Sequence, residues 1–228
     1  MEILKFDELP QGGFAGLIEK QFVKDQKVFS PARQGKATNG IGNFVYLADA
    51  NFLPHGETGM HPHREIDVIS VMVEGKVNHQ GSLEHGKSLV AGEIQAQRAG
   101  AEGFSHNEIN PSNQRNQLIQ LWVLPDKTGM PASYKTYLPE TNQLTKVYGG
   151  DANQTKTLTS QTEIYVANTE GNFSTTFDSA AIIYISKGNV IVNDRELPAR
   201  TLVKVKDGFT LSSHESSQII VIRGQSNQ

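Results

Sequence analysis

Two histidines one residue apart begin the stretch HPHREID, which runs directly into the apolar residues VISVMV. They are His61 and His63. Side chains alternate along a β-strand, so a strand here would place both imidazoles on one face, where they could converge on one ion. The same spacing fits a polar surface loop that Pro62 keeps extended. Taken alone, the pair leaves both interpretations open.

A second stretch, RAGAEGFSHNEINP, supplies another pair of candidate groups, because His106 and Glu108 also alternate onto one face of a strand. Six of the seven histidines precede residue 107, so chemistry that needs imidazole belongs to the first half of the chain. The sequence contains no cysteine, which excludes disulfides, iron–sulfur clusters and cysteine-bound zinc. Any metal must therefore be bound by histidine, carboxylate or backbone oxygen.

Short β-branched runs, separated by glycine and turn residues, predict the elements that position these groups. No ten-residue window shows a convincing apolar repeat of helical period. We therefore predict an all-β fold, organised as a sandwich or a barrel. The candidate strands are NFVYLAD from Asn43, DVISVMVEG from Asp67, KVNHQ from Lys76, QLIQLWVLP from Gln117, TEIYVANTE from Thr162, AIIYISKGNVIVND from Ala181, TLVKV from Thr201 and QIIVIRG from Gln218.

A polar stretch from Asp126 to about Gln161, rich in glycine and proline, is typical of a connection between two β domains. We expect an N-terminal domain at residues 1–128, a connection at 129–160 and a C-terminal domain at 161–228. Residues near 1–20 could pack on the C-terminal domain. The runs VMVEGKVN and YISKGNVIVN share a plan, which is weak evidence for an internal duplication.

The charge balance excludes some partners. The chain has 21 basic and 24 acidic residues and no run of like charges, so we expect neither a nucleic-acid nor a membrane partner. Its longest apolar run, in SAAIIYIS, is too short to span a bilayer, and the opening MEILKFDELP lacks the apolar core of a signal peptide. We expect a cytoplasmic protein.

The two histidine-bearing segments resemble the paired motifs of the pirin family, which lies in the cupin superfamily. The resemblance is dense from about residue 40 to 137, thinner afterwards and poor over the first forty residues. Asp67 stands where the family usually has glutamate, and Asn107 replaces a serine. The matching positions are His61, Pro62, His63 and Arg64 in the first motif and Ala99, Gly100, Gly103, His106, Glu108 and the cupin asparagine Asn110 in the second.

This resemblance implies two cupin jelly-roll β-barrels packed together, with a metal in the N-terminal barrel only. Carried over residue by residue, the metal ligands are His61, His63, His106 and Glu108. Three imidazoles and a carboxylate suit one divalent transition metal, with iron as the first expectation and Mn, Co, Ni, Cu and Zn as alternatives. The C-terminal half, where His214 stands alone, is expected to be a degenerate cupin without chemistry of its own.

The resemblance also implies an activity. Several pirin-like proteins with two cupin domains are dioxygenases that use O₂ to open the central ring of the flavonol quercetin, with loss of carbon monoxide. Glu108 would be the catalytic base that takes the flavonol hydroxyl proton. The alternative is a regulatory protein that binds a transcription factor or a metabolic enzyme in a metal-dependent way, without turnover. An open apolar pocket beside the metal favours the enzyme, and an exposed complementary patch favours the binding protein.

Several other residues near the motifs allow more than one interpretation. Asp67 could accept a hydrogen bond from an imidazole, face solvent or pair with Arg64. His79 is expected to be a strand histidine satisfied by the backbone.

The remaining histidines are expected in loops. His55 favours a surface role over one at a pocket rim, and His85 and His214 are expected to be exposed. Most of the large apolar residues near the motifs should be core, with one or two lining a pocket for a flat aromatic substrate. These apolar residues are Met60, Met72, Phe104 and Trp122.

Overall fold

The computed structural model describes residues 1–83 and 87–224. Its regular structure is almost entirely β-strand, which confirms the predicted all-β class. The helical elements are a 3₁₀ turn at Phe6–Glu8 and a single turn of α-helix, α1, at Pro31–Gln34. Within the described ranges no helix is long and apolar enough to cross a membrane. The strands are β1 Glu2–Lys5, β2 Gly12–Phe14, β3 Leu17–Lys24, β4 Phe44–Phe52, β5 His61–His63, β6 Asp67–Glu74, β7 Lys76–Gly81, β8 Ser88–Val90, β9 Ile94–Arg98, β10 Phe104–Ile109, β11 Gln117–Val123, β12 Ser133–Tyr137, β13 Leu144–Gly150, β14 Ser160–Glu170, β15 Phe173–Lys187, β16 Val190–Val192, β17 Arg195–Leu197, β18 Thr201–Ser213 and β19 Ser216–Arg223.

The chain forms two compact units. The first, here called the histidine unit, comprises Leu9–Asn39 and Val45–Leu138. The second, here called the C-terminal unit, comprises Met1–Glu8, Gly40–Phe44 and Pro139–Gln228.

The histidine unit is built from two sheets. The larger has seven strands in the order β12-β9-β6-β11-β4-β3-β2, and the smaller has four in the order β5-β10-β7-β8. Side chains from both sheets share one apolar cluster, in which Phe52 and Met72 of the larger sheet meet Val77 and Leu89 of the smaller. The apolar faces of the two sheets therefore cover each other, which is how a jelly roll buries its core.

The C-terminal unit is a single sheet in the order β13-β14-β19-β15-β18-β16-β17, with β1 added beside β18. Its long strands β15 and β18 pair from Phe173↔Ser213 to Ile185↔Thr201. Isoleucine, valine and phenylalanine side chains from these strands and from β19 form its core. In β1, Leu4 pairs with Leu202, so residues from the start of the chain complete this sheet.

A buried asparagine fixes the end of β10, the strand that carries His106. The Asn110 side chain is fully buried, and its Nδ2 donates to the carbonyl oxygens of Gln114 at 2.7 Å and Leu53 at 3.1 Å. Its Oδ1 accepts from the Ser112 backbone N–H at 3.1 Å and from the Ser112 hydroxyl at 2.9 Å. One side chain thus satisfies several buried backbone groups where β10 and β4 end.

Replacing Asn110 with Ala should lower the free energy of unfolding by about 2–3 kcal/mol, because buried carbonyl and N–H groups lose their partner. Urea denaturation measures this loss. Asn113 lies in the same loop but is exposed, so Asn113→Ala is the matched control and should change stability by less than about 0.5 kcal/mol. Equal effects of the two substitutions would contradict the assigned role of Asn110.

Candidate metal centre

Three histidine rings meet at one point of the histidine unit. His106 Nε2 lies 3.0 Å from His61 Nε2 and 3.1 Å from His63 Nε2. The candidate ligand atoms of the three rings all lie within 4.8 Å of one another. The structure therefore brings together three of the four ligands expected from the sequence, and this group could hold a metal ion.

The pairing of β5 with β10 produces this meeting. In their antiparallel register His61 stands opposite His106, and His63 stands opposite Phe104. Gly103, which has φ +74°, allows the close approach of the two strands, because a Cβ at that position would lie 2.8 Å from the His63 carbonyl oxygen. This explains why glycine precedes the second motif in the sequence.

The spacing of the three nitrogens fits a metal ion. Bonds of about 2.1 Å from a metal to nitrogen, set at right angles, separate neighbouring nitrogens by about 3.0 Å. The distances from His106 Nε2 to the other two nitrogens, 3.0 and 3.1 Å, agree with this spacing, and the ligand atoms of all three rings lie within 4.8 Å of one another.

The outer ring nitrogens of two of these histidines have fixed partners. His61 Nδ1 lies 2.9 Å from the Gly59 carbonyl oxygen, which can only accept a hydrogen bond, so this nitrogen carries the proton. His106 Nδ1 lies 3.2 Å from Gln97 Oε1 and donates to it. In the neutral rings both Nε2 lone pairs then point into the same space, where a cation is the group that stabilises them.

Burial keeps the imidazoles of His63 and His106 uncharged. Burial lowers the pKa of His63 to about 4, and the neighbouring His61 contributes to the shift. Burial also lowers the pKa of His106 to about 2, with further contributions from His63, His61 and His79. Both rings are therefore neutral near pH 7, and neutral imidazole is the form that binds metals.

His79 lies behind His106 and contacts polar side chains. Its Nε2 lies 3.1 Å from His106 Nδ1, and it accepts a hydrogen bond from Gln97 Nε2 at 3.1 Å. His79 is 1% exposed. It therefore helps to orient a candidate ligand, a role that the expectation of a backbone-satisfied strand histidine did not include.

Glu108 lies beside the three histidines but is not part of the group of ligand atoms within 4.8 Å of one another. Its carboxyl is 2% exposed, and its Oε1 accepts from Ser70 Oγ at 3.1 Å and from Gln95 Nε2 at 3.4 Å. Burial raises the pKa of Glu108 to about 7, while the Ser70 hydrogen bond acts in the opposite direction. Its Oε2 accepts no hydrogen bond from the described residues and is available to a ligand.

A cavity of about 710 Å³ opens onto both His61 and Glu108. Three near-parallel aromatic rings belong to its wall: Tyr46 and Trp122 have centroids 4.3 Å apart, and Phe29 stands 5.7 Å from Tyr46. Phe14 and Val28 line the cavity and are also exposed, so they form its rim. A cavity of this size with an apolar wall is typical of a small-molecule site.

Three polar residues in this cavity were missed by the sequence analysis. Glu19 and Gln21 come from β3, a strand not predicted because polar and apolar residues do not alternate cleanly in LIEKQFVK. The Tyr46 hydroxyl donates to Glu19 Oε2 at 3.0 Å, and Gln21 Nε2 donates to Glu19 Oε1 at 2.6 Å. Burial raises the pKa of Tyr46 well above its usual range, and the nearby Glu19 adds to the shift. The available signal was the spacing of Leu17, Glu19 and Gln21, which share one face of a strand.

Asp67 and Arg98 form a buried ion pair, with Arg98 Nε 3.0 Å and one terminal nitrogen 2.9 Å from Asp67 Oδ2. Asp67 is 1% exposed, so the solvent-facing interpretation was wrong, and its cationic partner is Arg98 instead of Arg64. The two side chains come from β6 and β9, which stand opposite each other in the larger sheet. The pair therefore links β6, which follows the first histidine motif, to β9.

The remaining described histidines, His55 and His214, are not part of the group of three rings. His55 is exposed and its Nε2 lies 2.7 Å from Asn113 Oδ1, and His214 is exposed. His85 lies outside the described residues. Trp122 lines the cavity and Met72 and Phe104 are core, as expected, but Met60 is 60% exposed and is not core.

Comparisons with known proteins agree with this geometry. Residues 25–123, which contain all three converging histidines, match the sequence model of the pirin family. The crystal structure of the bacterial pirin YhhW of Escherichia coli in complex with nickel(II) superposes with a TM-score of 0.79 at 21% identity, covering 97% of each chain. Over residues 25–123 the chain is similar to the pirin family.

Two curated relatives are similar to this chain in sequence. The quercetin 2,3-dioxygenase of Escherichia coli strain K12 is 37% identical over 78 residues, which are 34% of this chain and 33% of that protein. The match thus spans about a third of that relative. A Pseudomonas aeruginosa relative is 23% identical over 229 residues, covering 95% of this chain and 96% of its own length.

The purified protein should contain about one equivalent of a transition metal, and changing both His61 and His63 to Ala should abolish it, since only one imidazole of the group remains. Metal analysis by mass spectrometry measures the content. The control is His214→Ala, which removes an exposed imidazole of the C-terminal unit and should leave the metal content unchanged. Full metal content in the double variant would rule out this site.

Gln97→Leu should weaken metal binding by about 10- to 100-fold, because His106 loses the acceptor that fixes its ring. Competition with a chelator of known affinity gives the dissociation constant. Gln143→Leu, at an exposed position, is the matched control. An unchanged affinity in Gln97→Leu would show that Gln97 does not orient the ligand.

Proposed function

We propose that this protein is a metal-dependent dioxygenase of the pirin type that opens flavonols such as quercetin with O₂, and that it acts in the cytoplasm. The observation that carries the proposal is the cavity of about 710 Å³, which joins an aromatic wall to both the histidine group and Glu108. The name of the Escherichia coli relative supports the choice of substrate. We further propose that residues 1–128 carry the activity and that 161–228 form a degenerate cupin without a site of its own.

The proposed ligands are His61, His63, His106 and Glu108, and iron is the proposed metal. When bound, such an ion supplies Lewis-acid and redox chemistry toward a hydroxy-ketone and O₂. The histidines would present three neutral nitrogens with fixed directions. The nickel(II) in the structure of YhhW shows that a relative's fold accommodates a divalent ion, and the other metals named above remain alternatives.

Glu108 is the proposed catalytic base for the hydroxyl of the substrate. Ser70 and Gln95 hold its Oε1, so Oε2 is the oxygen available to accept a proton. Its pKa near 7 in the buried site means that the carboxyl can both take up and release a proton at neutral pH. A cation bound by the histidines would favour the ionised form that acts as the base.

The wall of the cavity would position the substrate and exclude water. Trp122 contacts His63 with ring centroids 5.8 Å apart, so a planar ligand that binds beside the histidines also meets this aromatic surface. Apolar side chains at the inner face, such as Leu17 and Leu118, would keep water from the reacting ring.

The alternative function is metal-dependent binding of a transcription factor or a metabolic enzyme without turnover. That function needs no cavity beside the metal. The enclosed aromatic wall therefore favours the enzyme.

Anaerobic mixing of metal-loaded protein with quercetin, followed by air, should bleach the flavonol absorbance. Glu108→Gln should lower the turnover rate by at least about 100-fold while most of the metal stays bound, because the amide cannot accept the proton. Absorbance spectroscopy and metal analysis of the same samples give both quantities.

The control is Glu74→Gln, which removes an exposed carboxylate at the end of β6 and should leave turnover unchanged. Persistent colour with fully metallated wild-type protein would favour the binding protein. Parallel loss of metal and turnover in Glu108→Gln would make Glu108 a ligand and not a base.

A further inference from the structure

A buried carboxylate lies in the same cavity as the metal centre, separated from it by two aromatic rings. Trp122 stands 5.8 Å from the His63 ring, and Tyr46 stands 4.3 Å from Trp122. The hydroxyl of Tyr46 then reaches Glu19 at 3.0 Å. The cavity thus has the histidines at one end of this series and Glu19 at the other.

Glu19 has unused capacity to accept hydrogen bonds. It is 8% exposed and accepts one bond at each oxygen, from Gln21 and from Tyr46, whereas a carboxylate can accept about four. No lysine, arginine or histidine of the described chain forms an ion pair with it. A carboxylate this deeply buried gains most from a further donor, which a ligand in the cavity can supply.

The aromatic rings specify the shape of the ligand. The planes of Phe29, Tyr46 and Trp122 differ by only 16° to 28°. Near-parallel rings favour a flat aromatic ligand, whereas a cage for a cation needs ring faces turned toward one centre at wide angles.

We propose that Glu19 determines substrate specificity by accepting a hydrogen bond from a hydroxyl at the end of the substrate remote from its metal-binding hydroxyl. Gln21 and Tyr46 hold the carboxylate in place, and the rings of Tyr46 and Trp122 form the aromatic surface between the two ends. The substrate class is a planar polyhydroxylated aromatic with a hydroxy-ketone at one end and a hydrogen-bond donor at the other. The inference rests on the proposed function, because that function makes flavonols the ligands of this cavity.

The test compares two flavonols that share the same metal-binding end. Quercetin carries several further hydroxyls, and 3-hydroxyflavone carries none. Trp122 is the only tryptophan of the chain, so quenching of its fluorescence reports binding of either compound to metal-loaded protein. The measurement is made without O₂, so it does not depend on whether the protein catalyses a reaction. Wild-type protein should bind quercetin about 10-fold more tightly than 3-hydroxyflavone.

Glu19→Gln should bring this ratio close to one, mainly by weakening quercetin binding. Tyr46→Phe, which keeps the ring and removes the hydroxyl that holds Glu19, should lower the ratio by a smaller factor. Glu74→Gln removes an exposed carboxylate outside the cavity and should keep the wild-type ratio. Thermal unfolding of each variant shows whether it is folded.

An unchanged ratio in folded Glu19→Gln, an equal affinity of the wild type for both compounds, or no binding of either would overturn the inference. The two proposals fail separately. Selective binding that depends on Glu19 but bleaches no flavonol would overturn the dioxygenase and support the specificity site. Bleaching of both flavonols, bound with equal affinity, would support the dioxygenase and overturn the specificity site.

Discussion

The convergence of three imidazoles, with His106 Nε2 3.0 and 3.1 Å from the Nε2 atoms of His61 and His63, is the constraint on which the rest of the histidine unit depends. Three lone pairs at this distance repel one another unless a cation lies between them. The surrounding structure holds them there against that repulsion. The β5–β10 register places His61 opposite His106, Gly103 lets the strands approach, and Gln97 fixes the outer nitrogen of His106.

Burial decides the chemical state of this centre. It keeps His63 and His106 uncharged and raises the pKa of Glu108 to about 7, so the same burial affects both the candidate ligands and the nearby carboxyl. The hydrogen bonds from Ser70 and Gln95 leave one Glu108 oxygen available. The larger sheet contributes the opposite wall, where strands β3, β4 and β11 present Glu19, Tyr46 and Trp122 to the same cavity. The proposed metal centre on one sheet and the proposed recognition surface on the other suit a substrate that extends between them.

The sequence predicted much of the fold and the core of the site. Alternating and β-branched runs identified strands such as β4, β6 and β11, because these carry a clear apolar signal. It did not identify β3, whose inward face carries Glu19 and Gln21, since polar residues on the inner face remove the alternation that marks a half-buried strand. The sequence also could not predict the partner of Asp67, because Arg98 becomes a neighbour of Asp67 only through the pairing of β6 with β9.

By itself the sequence determined which residue types could bind a metal, since the absence of cysteine and the two motifs leave histidine and carboxylate as the side-chain ligands. The spacing of residues within each motif was enough to identify these candidate ligands, because the alternation of side chains along a strand is a local property of the backbone. The tertiary structure decided everything that depends on residues distant in sequence. It set the distances between rings from β5 and β10, the burial that moves their pKa values, and the cavity whose walls come from strands far apart in the chain. Such contacts are fixed by sheet register and packing, which no single stretch of sequence encodes.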